Sequence, residues 1–162
     1  MKFRHELRYD APPARVLAMR VDPEYRARLA EAAGVAESTT RVERGGETTT
    51  VVIEEERPTQ GVPGFARKFV GDFTHTVIRE SWTGTAGTFE VETPGKPMHI
   101  AGSVSAAPHG DGREGTVVVF DLVATASVPL IGGKLEKLTA ELTSEGLALE
   151  QELGDRWLAE HP

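Results

Sequence analysis

Apolar and polar residues alternate from Met1 to Tyr9. Met1, Phe3, His5, Leu7 and Tyr9 fall on one side, and Lys2, Arg4, Glu6 and Arg8 on the other. A period of two predicts a half-buried strand. Asp10 is placed to cap a helix with Pro12 and Pro13 in its first turn, where missing amide donors cost least. Val16, Leu17 and Met19 would be its buried side. Asp22-Pro23 repeats the cap-plus-proline signal, so a second short helix runs through Tyr25 and Leu29 and stops near Gly34.

The middle of the chain reads as strands. Ser38 to Arg44 and Glu47 to Glu56 are Thr/Val-rich runs around Gly45-Gly46, a hairpin signal. Asp72 to Trp82, Thr88 to Thr93, Met98 to Ala106 and Gly115 to Val128 are four more. Short turn-rich separators at Gly84 to Gly87, Pro94 to Pro97 and Pro108 to Gly112 predict an antiparallel meander. Met98, Ile100, Gly102, Val104 and Ala106 share one side. So do Val118, Phe120, Leu122, Ala124, Ala126 and Val128, and Phe89 with Val91. The sheet therefore has one apolar face and one wet face. For the strand 72–82 two phases are open: Phe73, His75, Val77, Arg79 and Ser81 inward, or Thr74, Thr76, Ile78, Glu80 and Trp82 inward. The second holds the indole and no cation, and is favoured.

After Pro129 the stretch from Leu130 to Leu158 lacks proline and has a helical period. Ile131, Leu135, Leu138, Leu142, Leu149, Leu153 and Trp157 are spaced by four, three, four, seven, four and four residues, one stripe on one long helix. Gly146 falls in the gap of seven. There it either allows close backbone packing or a kink, or leaves a notch with room for a ligand. Between Pro58 and Gly71, Phe65 and Phe69 stand four apart around Arg67 and Lys68, which reads as a short amphipathic helix. It is either a lid or lipid-touching element, or a surface crossover packed on the end of the sheet.

Composition narrows the function classes. The 162 residues are 39% apolar and 27% charged, with no cysteine and a net charge of −7. Thiol chemistry, disulfides and cysteine zinc sites are excluded. The acidic balance argues against nucleic acid or anionic membranes as the main partner. No apolar run reaches the roughly 18–20 residues of a membrane span. No leader sequence is visible at Met1, so the expected address is the cytoplasm. The chain has 13 Arg, 5 Lys and no Asn, a bias typical of GC-rich coding. Residues 1–28 carry net +3 and residues 129–162 net −4, two ends that could attract one another.

The element order is strand, two helices, six strands, long helix. With the junction Ser127-Val128-Pro129-Leu130-Ile131-Gly132-Gly133-Lys134-Leu135-Glu136, with Glu80-Ser81-Trp82 and with the segment Val62 to Gly71, it resembles the START-like, or helix-grip, superfamily. That superfamily includes birch-pollen-allergen-like proteins, polyketide cyclases/aromatases and lipid-transfer domains. The three patches look like its mostly actinobacterial DUF2505 branch. The resemblance implies an α+β helix-grip fold spanning residues 1–162 as one domain, with a curved seven-stranded antiparallel sheet wrapped around the terminal helix. It also implies a pocket between the two, without naming its contents.

The residues expected to line that pocket are His5, Tyr9, Ile78, Glu80, Trp82, Phe89, Ile100, Gly102, Phe120, Leu122, Leu138, Leu142 and Gly146, with Phe65 and Phe69 as the lid. Small residues at Gly102, Ala106, Ala124, Ala126 and Gly146 would hold it open, or equally let the helix sit closer. His5 is either a polar anchor or a core histidine. Glu80 beside Trp82 is either a carboxyl with a raised pKa or half of a structural pair completed by Arg or Tyr9. Glu54-Glu55-Glu56-Arg57 reads as a solvated rim, and Gly132-Gly133 as a tight turn. His99 faces solvent, His109 lies in a loop and His161 in the tail. No histidine pair has metal-ligand spacing, and neither metal nor cofactor is expected. The first functional expectation is binding of a hydrophobic or amphipathic small molecule, such as a lipid, isoprenoid or polyketide-like compound. An alternative is a cyclase/aromatase- or hydrolase-type enzyme using His5, Tyr9, Glu80 and either Arg79 or His75. A further one is an interaction module with a filled core. Oligomeric state is not readable from these patterns.

Overall fold

A computed structural model describes residues 1–109 and 114–162. The 110–112 part of the expected Pro108–Gly112 turn lies outside the described residues. The chain runs β1 (Lys2–Tyr9), α1 (Pro13–Arg20), α2 (Pro23–Ala32), β2 (Glu37–Gly45), β3 (Thr48–Pro58), α3 (Gly64–Val70), β4 (Phe73–Thr83), β5 (Ala86–Glu92), β6 (Met98–Pro108), β7 (Thr116–Ala126) and α4 (Gly132–Glu160). The seven strands form one antiparallel sheet in the order β1-β7-β6-β5-β4-β3-β2. This is the expected α+β helix-grip arrangement: a curved sheet with the long terminal helix on its concave side.

The helix starts follow the prolines. Asp22 caps α2, its carboxylate accepting from the Glu24 amide at 2.9 Å. Asp10 does not cap α1. The helix begins one proline later, with Pro12 at the cap position and no side-chain cap bond. The end of α2 is sealed by Gly34, whose φ of 72° lets the Val35 and Gly34 amides return to the carbonyls of Ala30 and Glu31.

Strand register sets the concave face in rows. One row is Val51, Glu80, Phe89, Gly102 and Leu122; the next is Ile53, Ile78, Val91, Ile100 and Ala124. A third is Thr49, Trp82, Gly87, Val104, Phe120 and His5. The inward phase of β4 is thus the Ile78-Glu80-Trp82 one. The opposite face is not wholly wet, because Val52 and Val77 are buried there. Phe89 and Phe120 meet edge to face, 5.3 Å between centroids, at the centre of the core.

The face of α4 that meets the sheet differs from the leucine stripe. Its buried residues are Leu135, Ala140, Leu147, Gly154, Trp157 and Leu158, and it lies along β1 and β7 with its flank over β6. Leu142 is 47% exposed. Gly146 is exposed, and a Cβ there would meet nothing within 4 Å. Neither belongs to the interface between helix and sheet. Leu135 and Trp157 of the stripe are buried and Leu153 packs on the core, but Leu147, off the stripe, is buried as well, and small Ala140 and Gly154 let the helix approach while Glu150 reaches a partner. A count of leucines cannot find such a face. The close approach falls at Gly154 instead, where a Cβ would lie 2.6 Å from the Tyr9 ring and 3.1 Å from the Met19 methyl. Gly102 has a similar cause: a Cβ there would overlap the Asp121 carbonyl of β7. Its smallness serves the backbone and opens no space.

The two helix glycines should therefore respond oppositely. Gly146→Ala should raise stability by about 0.5–1 kcal/mol, the usual helix gain over glycine. Gly154→Ala should lower it by about 1–3 kcal/mol through overpacking against Tyr9. Urea midpoints of the two variants measure both.

Candidate functional site

Four charged side chains meet beneath the α1–α2 junction. Arg20 ends α1, where a cation suits the helix C-terminus. The break at Val21-Asp22 brings Arg26 of α2 back to the same point, and its Nε donates to the Arg20 carbonyl at 2.8 Å. Glu80 comes from β4 and Glu150 from α4. Arg20 holds Glu80 with a two-pronged grip, Nε to Oε1 at 2.6 Å and Nη2 to Oε2 at 2.8 Å. Arg26 Nη2 reaches Glu80 Oε2 at 2.9 Å, and its Nη1 reaches Glu150 Oε1, also at 2.9 Å. Arg20 Nη2 also touches Glu150 Oε2 at 3.2 Å. The Trp82 indole donates to Glu80 Oε1 at 2.8 Å. The Tyr25 and Tyr9 hydroxyls donate to the Glu150 carbonyl at 2.9 and 3.4 Å.

The cluster is neutral overall, which is what makes its burial tolerable. Arg20 and Glu80 are fully buried, and Arg26 is 3% exposed. Burial alone would raise the Glu80 carboxyl, but the Arg20 and Arg26 charges outweigh it and hold its pKa down at about 2. Burial likewise works against the Arg20 charge, and Glu80 and Glu150 overcome it, holding the guanidinium well above its ordinary value. Burial pushes both the Tyr9 and Tyr25 phenols up, so they stay protonated donors. Glu80 is thus a permanent carboxylate, the reverse of a carboxyl with raised pKa. One donor is left over: Arg20 Nη1 is buried without a hydrogen-bond partner among the described residues. The guanidinium carbon lies 5.2 Å from the Phe120 ring centroid.

Of the residues singled out from sequence, the cluster unites Glu80, Trp82 and Tyr9, with Phe120 against it. Phe89, Ile100 and Leu122 are buried on the same concave face. Tyr9 does not bind Glu80; it binds the Glu150 backbone. His5 is half-buried on edge strand β1, four strands from β4. His75 and Arg79 lie on the convex face, bonded to Glu56 at 2.6 Å and Glu92 at 3.0 Å. His99 faces outward as expected. Glu90, Glu92 and His99 do bring three donor atoms within 4.8 Å of one another there. This trio spans two strands, so spacing along one element misses it, and Arg79 already engages its carboxylates. Leu138 is half-buried, and Phe65 and Phe69 are half-buried on α3.

Arg20, Arg26 and Glu150 were not found from sequence. A charge four residues after Val16, or three after Leu147, was the available signal.

On either side of the sealed Glu80 row the concave face stays accessible. A groove of about 350 Å³ opens over Trp82, walled by Leu17 of α1, by Val21 just after it and by Arg44 and Thr49. Another of about 360 Å³ runs between α2 and β2, lined by Ala27, Ala30, Val35, Ser38 and Thr40. On the other side of the Glu80 row, Ile78 and Val91 are only half-buried, between the buried Ile53 and Ile100.

With this geometry, comparison with known proteins becomes informative. The family model described as protein of unknown function (DUF2505) matches residues 4–158. The chain belongs to the DUF2505 family. A search of curated proteins finds no match. Among solved structures, TTHA0849 from Thermus thermophilus is 23% identical over 100% of both chains, with a TM-score of 0.64. The di-domain ARO/CYC BexL of the BE-7585A biosynthetic pathway is 16% identical over 100% of this chain and 48% of its own, again with a TM-score of 0.64. A START superfamily protein from Mycobacterium smegmatis is 14% identical over 97% of this chain and 98% of its own, with a TM-score of 0.58. At these identities the likeness establishes that this chain shares the START-like fold, and nothing about chemistry. Among the described residues no helix is long and apolar enough to cross a membrane.

Removing one partner of a buried charge cluster leaves the others uncompensated. Glu80→Gln should cost about 3–5 kcal/mol of stability. The Glu80 pKa is about 2 in the fold against an ordinary 4.5. Its contribution is therefore complete above about pH 4.5 and is lost as pH falls toward about 2. Urea midpoints from pH 7 to pH 2.5 should fall through that window in the wild type, and less steeply in Glu80→Gln.

Proposed function

We propose that this DUF2505 protein binds a hydrophobic or amphipathic small molecule on the concave face of its sheet, over Ile78 and Val91. The observation that carries the reading is the exposure pattern of one cross-strand row. Ile53 and Ile100 are 3% and 2% exposed, while Ile78 and Val91 between them remain reachable by solvent. Two paired aliphatic side chains left accessible in the middle of a concave apolar face mark a place for an apolar body. The flanks of this site suit an amphipathic guest. On one side lies the neutral charge cluster around Glu80. On the open side α3 reaches across to α4, the Lys134 ammonium standing 4.2 Å from the Phe65 ring centroid. Phe65 and Phe69 act there as the lid. The relation in fold to the ARO/CYC protein of the BE-7585A biosynthetic pathway and to a START superfamily protein supports the same class of guest. Lipid, isoprenoid and polyketide-like compounds all fit it.

The polar groups favour binding over catalysis. Glu80 is locked as a carboxylate by two arginines, and His75 and Arg79 face the other way. A filled-core interaction module is the second reading, favoured by the sealed Glu80 row.

Native mass spectrometry of gently purified protein, with titration of an environment-sensitive hydrophobic dye, decides between them. The expected result is a bound apolar adduct or saturable dye binding. Val91→Trp should fill the site and weaken binding at least tenfold, and Ile78→Ala should enlarge it and leave binding intact. A wild type that is uniformly empty and ignores the dye contradicts the proposal.

A further inference from the structure

One end of the molecule has a chemistry unlike the rest. There the α3 segment, the β5–β6 turn and the β7–α4 link come together. Pro58 pairs with Phe73, the Ser127 amide donates to the Pro97 carbonyl at 3.0 Å, and Lys134 stands over Phe65. The three stretches 57–73, 93–97 and 127–137 carry six basic residues and two acidic ones, in a chain whose net charge is −7. Arg57 and Lys137 are paired with Glu55 and Glu141. Arg67, Lys68, Lys96 and Lys134 make no ion pair among the described residues, whereas arginines elsewhere, such as Arg4, Arg28 and Arg79, do.

The same end exposes apolar side chains. Leu130 is completely exposed and Phe73 is 56% exposed. Leu130 is also the one non-glycine residue with positive φ among the described residues, at 70°. A leucine in left-handed backbone, standing free in water, contributes no packing to this chain. It is free to make an apolar contact outside the chain.

We infer that this end docks on the surface of an anionic lipid bilayer. Leu130 and Phe73 enter the headgroup layer, and Arg67, Lys68, Lys96 and Lys134 meet the lipid phosphates. Unpaired cations around protruding apolar side chains are the combination that favours such a surface. A two-fold dimer through this end would set cation against cation. The inference goes beyond small-molecule binding and stands whether or not the site over Ile78 and Val91 is occupied.

Cosedimentation with phosphatidylcholine vesicles containing one third phosphatidylglycerol, against pure phosphatidylcholine, tests it. Binding should be at least tenfold tighter to the anionic vesicles and should weaken as salt rises. Leu130→Gly removes the side chain and suits the backbone, so the thermal midpoint should hold or rise while vesicle binding falls at least fivefold. Lys68→Gln and Lys134→Gln should each weaken binding about fivefold. No preference for anionic vesicles, or wild-type binding by Leu130→Gly, overturns the inference. So does a concentration-dependent dimer in sedimentation velocity that Leu130→Gly abolishes.

Discussion

Two guanidinium groups and the Glu80 carboxylate taken out of water, with Glu150 mostly so, impose the main constraint on this fold. Separately, each would be too costly to bury. Together, with an indole and a backbone carbonyl among their hydrogen-bond partners, they form a neutral unit. Because the four come from α1, α2, β4 and α4, the unit fixes all of these elements at one point. Tyr9 and Tyr25 add the Glu150 backbone to the same junction. A hydrophobic contact would tolerate sliding. Hydrogen bonds of 2.6–2.9 Å to Glu80 tolerate far less.

That fixed point also divides the concave face. The Glu80 row is shut by its own charge pairing and by Phe89, while the neighbouring row keeps Ile78 and Val91 accessible. A strictly apolar core would have room to collapse over such a row. Here α4 is anchored along β1 and β7, and its nearest polar tie is Glu150. On the proposed reading, an apolar guest would lie over Ile78 and Val91, on strands β4 and β5, whereas α4 packs along β1 and β7.

Most of the architecture was legible because it rests on local periodicity. The alternation in β1, the Gly45-Gly46 hairpin, the Asp22-Pro23 start and the proline-free terminus each announce one element, and short separators force the meander. The inward phase of β4 was also recoverable, since Trp82 and Ile78 outweigh Val77. The sheet-facing side of α4 was not. Leu142 is exposed, and beside the buried Leu135, Leu147 and Trp157 the face uses Ala140, Glu150 and Gly154, residue types that pattern reading treats as neutral or exposed. The same blindness hid Arg20 and Arg26. A buried arginine looks like a surface one until its carboxylate partners, 60 and 54 residues away along the chain for Glu80, are placed beside it. Net charge is a total and does not show how the charges are distributed. A total of −7 conceals an end where basic residues outnumber acidic ones.

The central claim is that the charge cluster seals one row of the concave face and leaves the next one open. A crystal pressurised with xenon tests this directly, because xenon enters apolar space that polar groups do not fill. The account predicts a xenon peak against Ile78 and Val91 and none in the Glu80 row. Absence of xenon from that row, with side chains of α3 or α4 packed onto Ile78 and Val91, would contradict it.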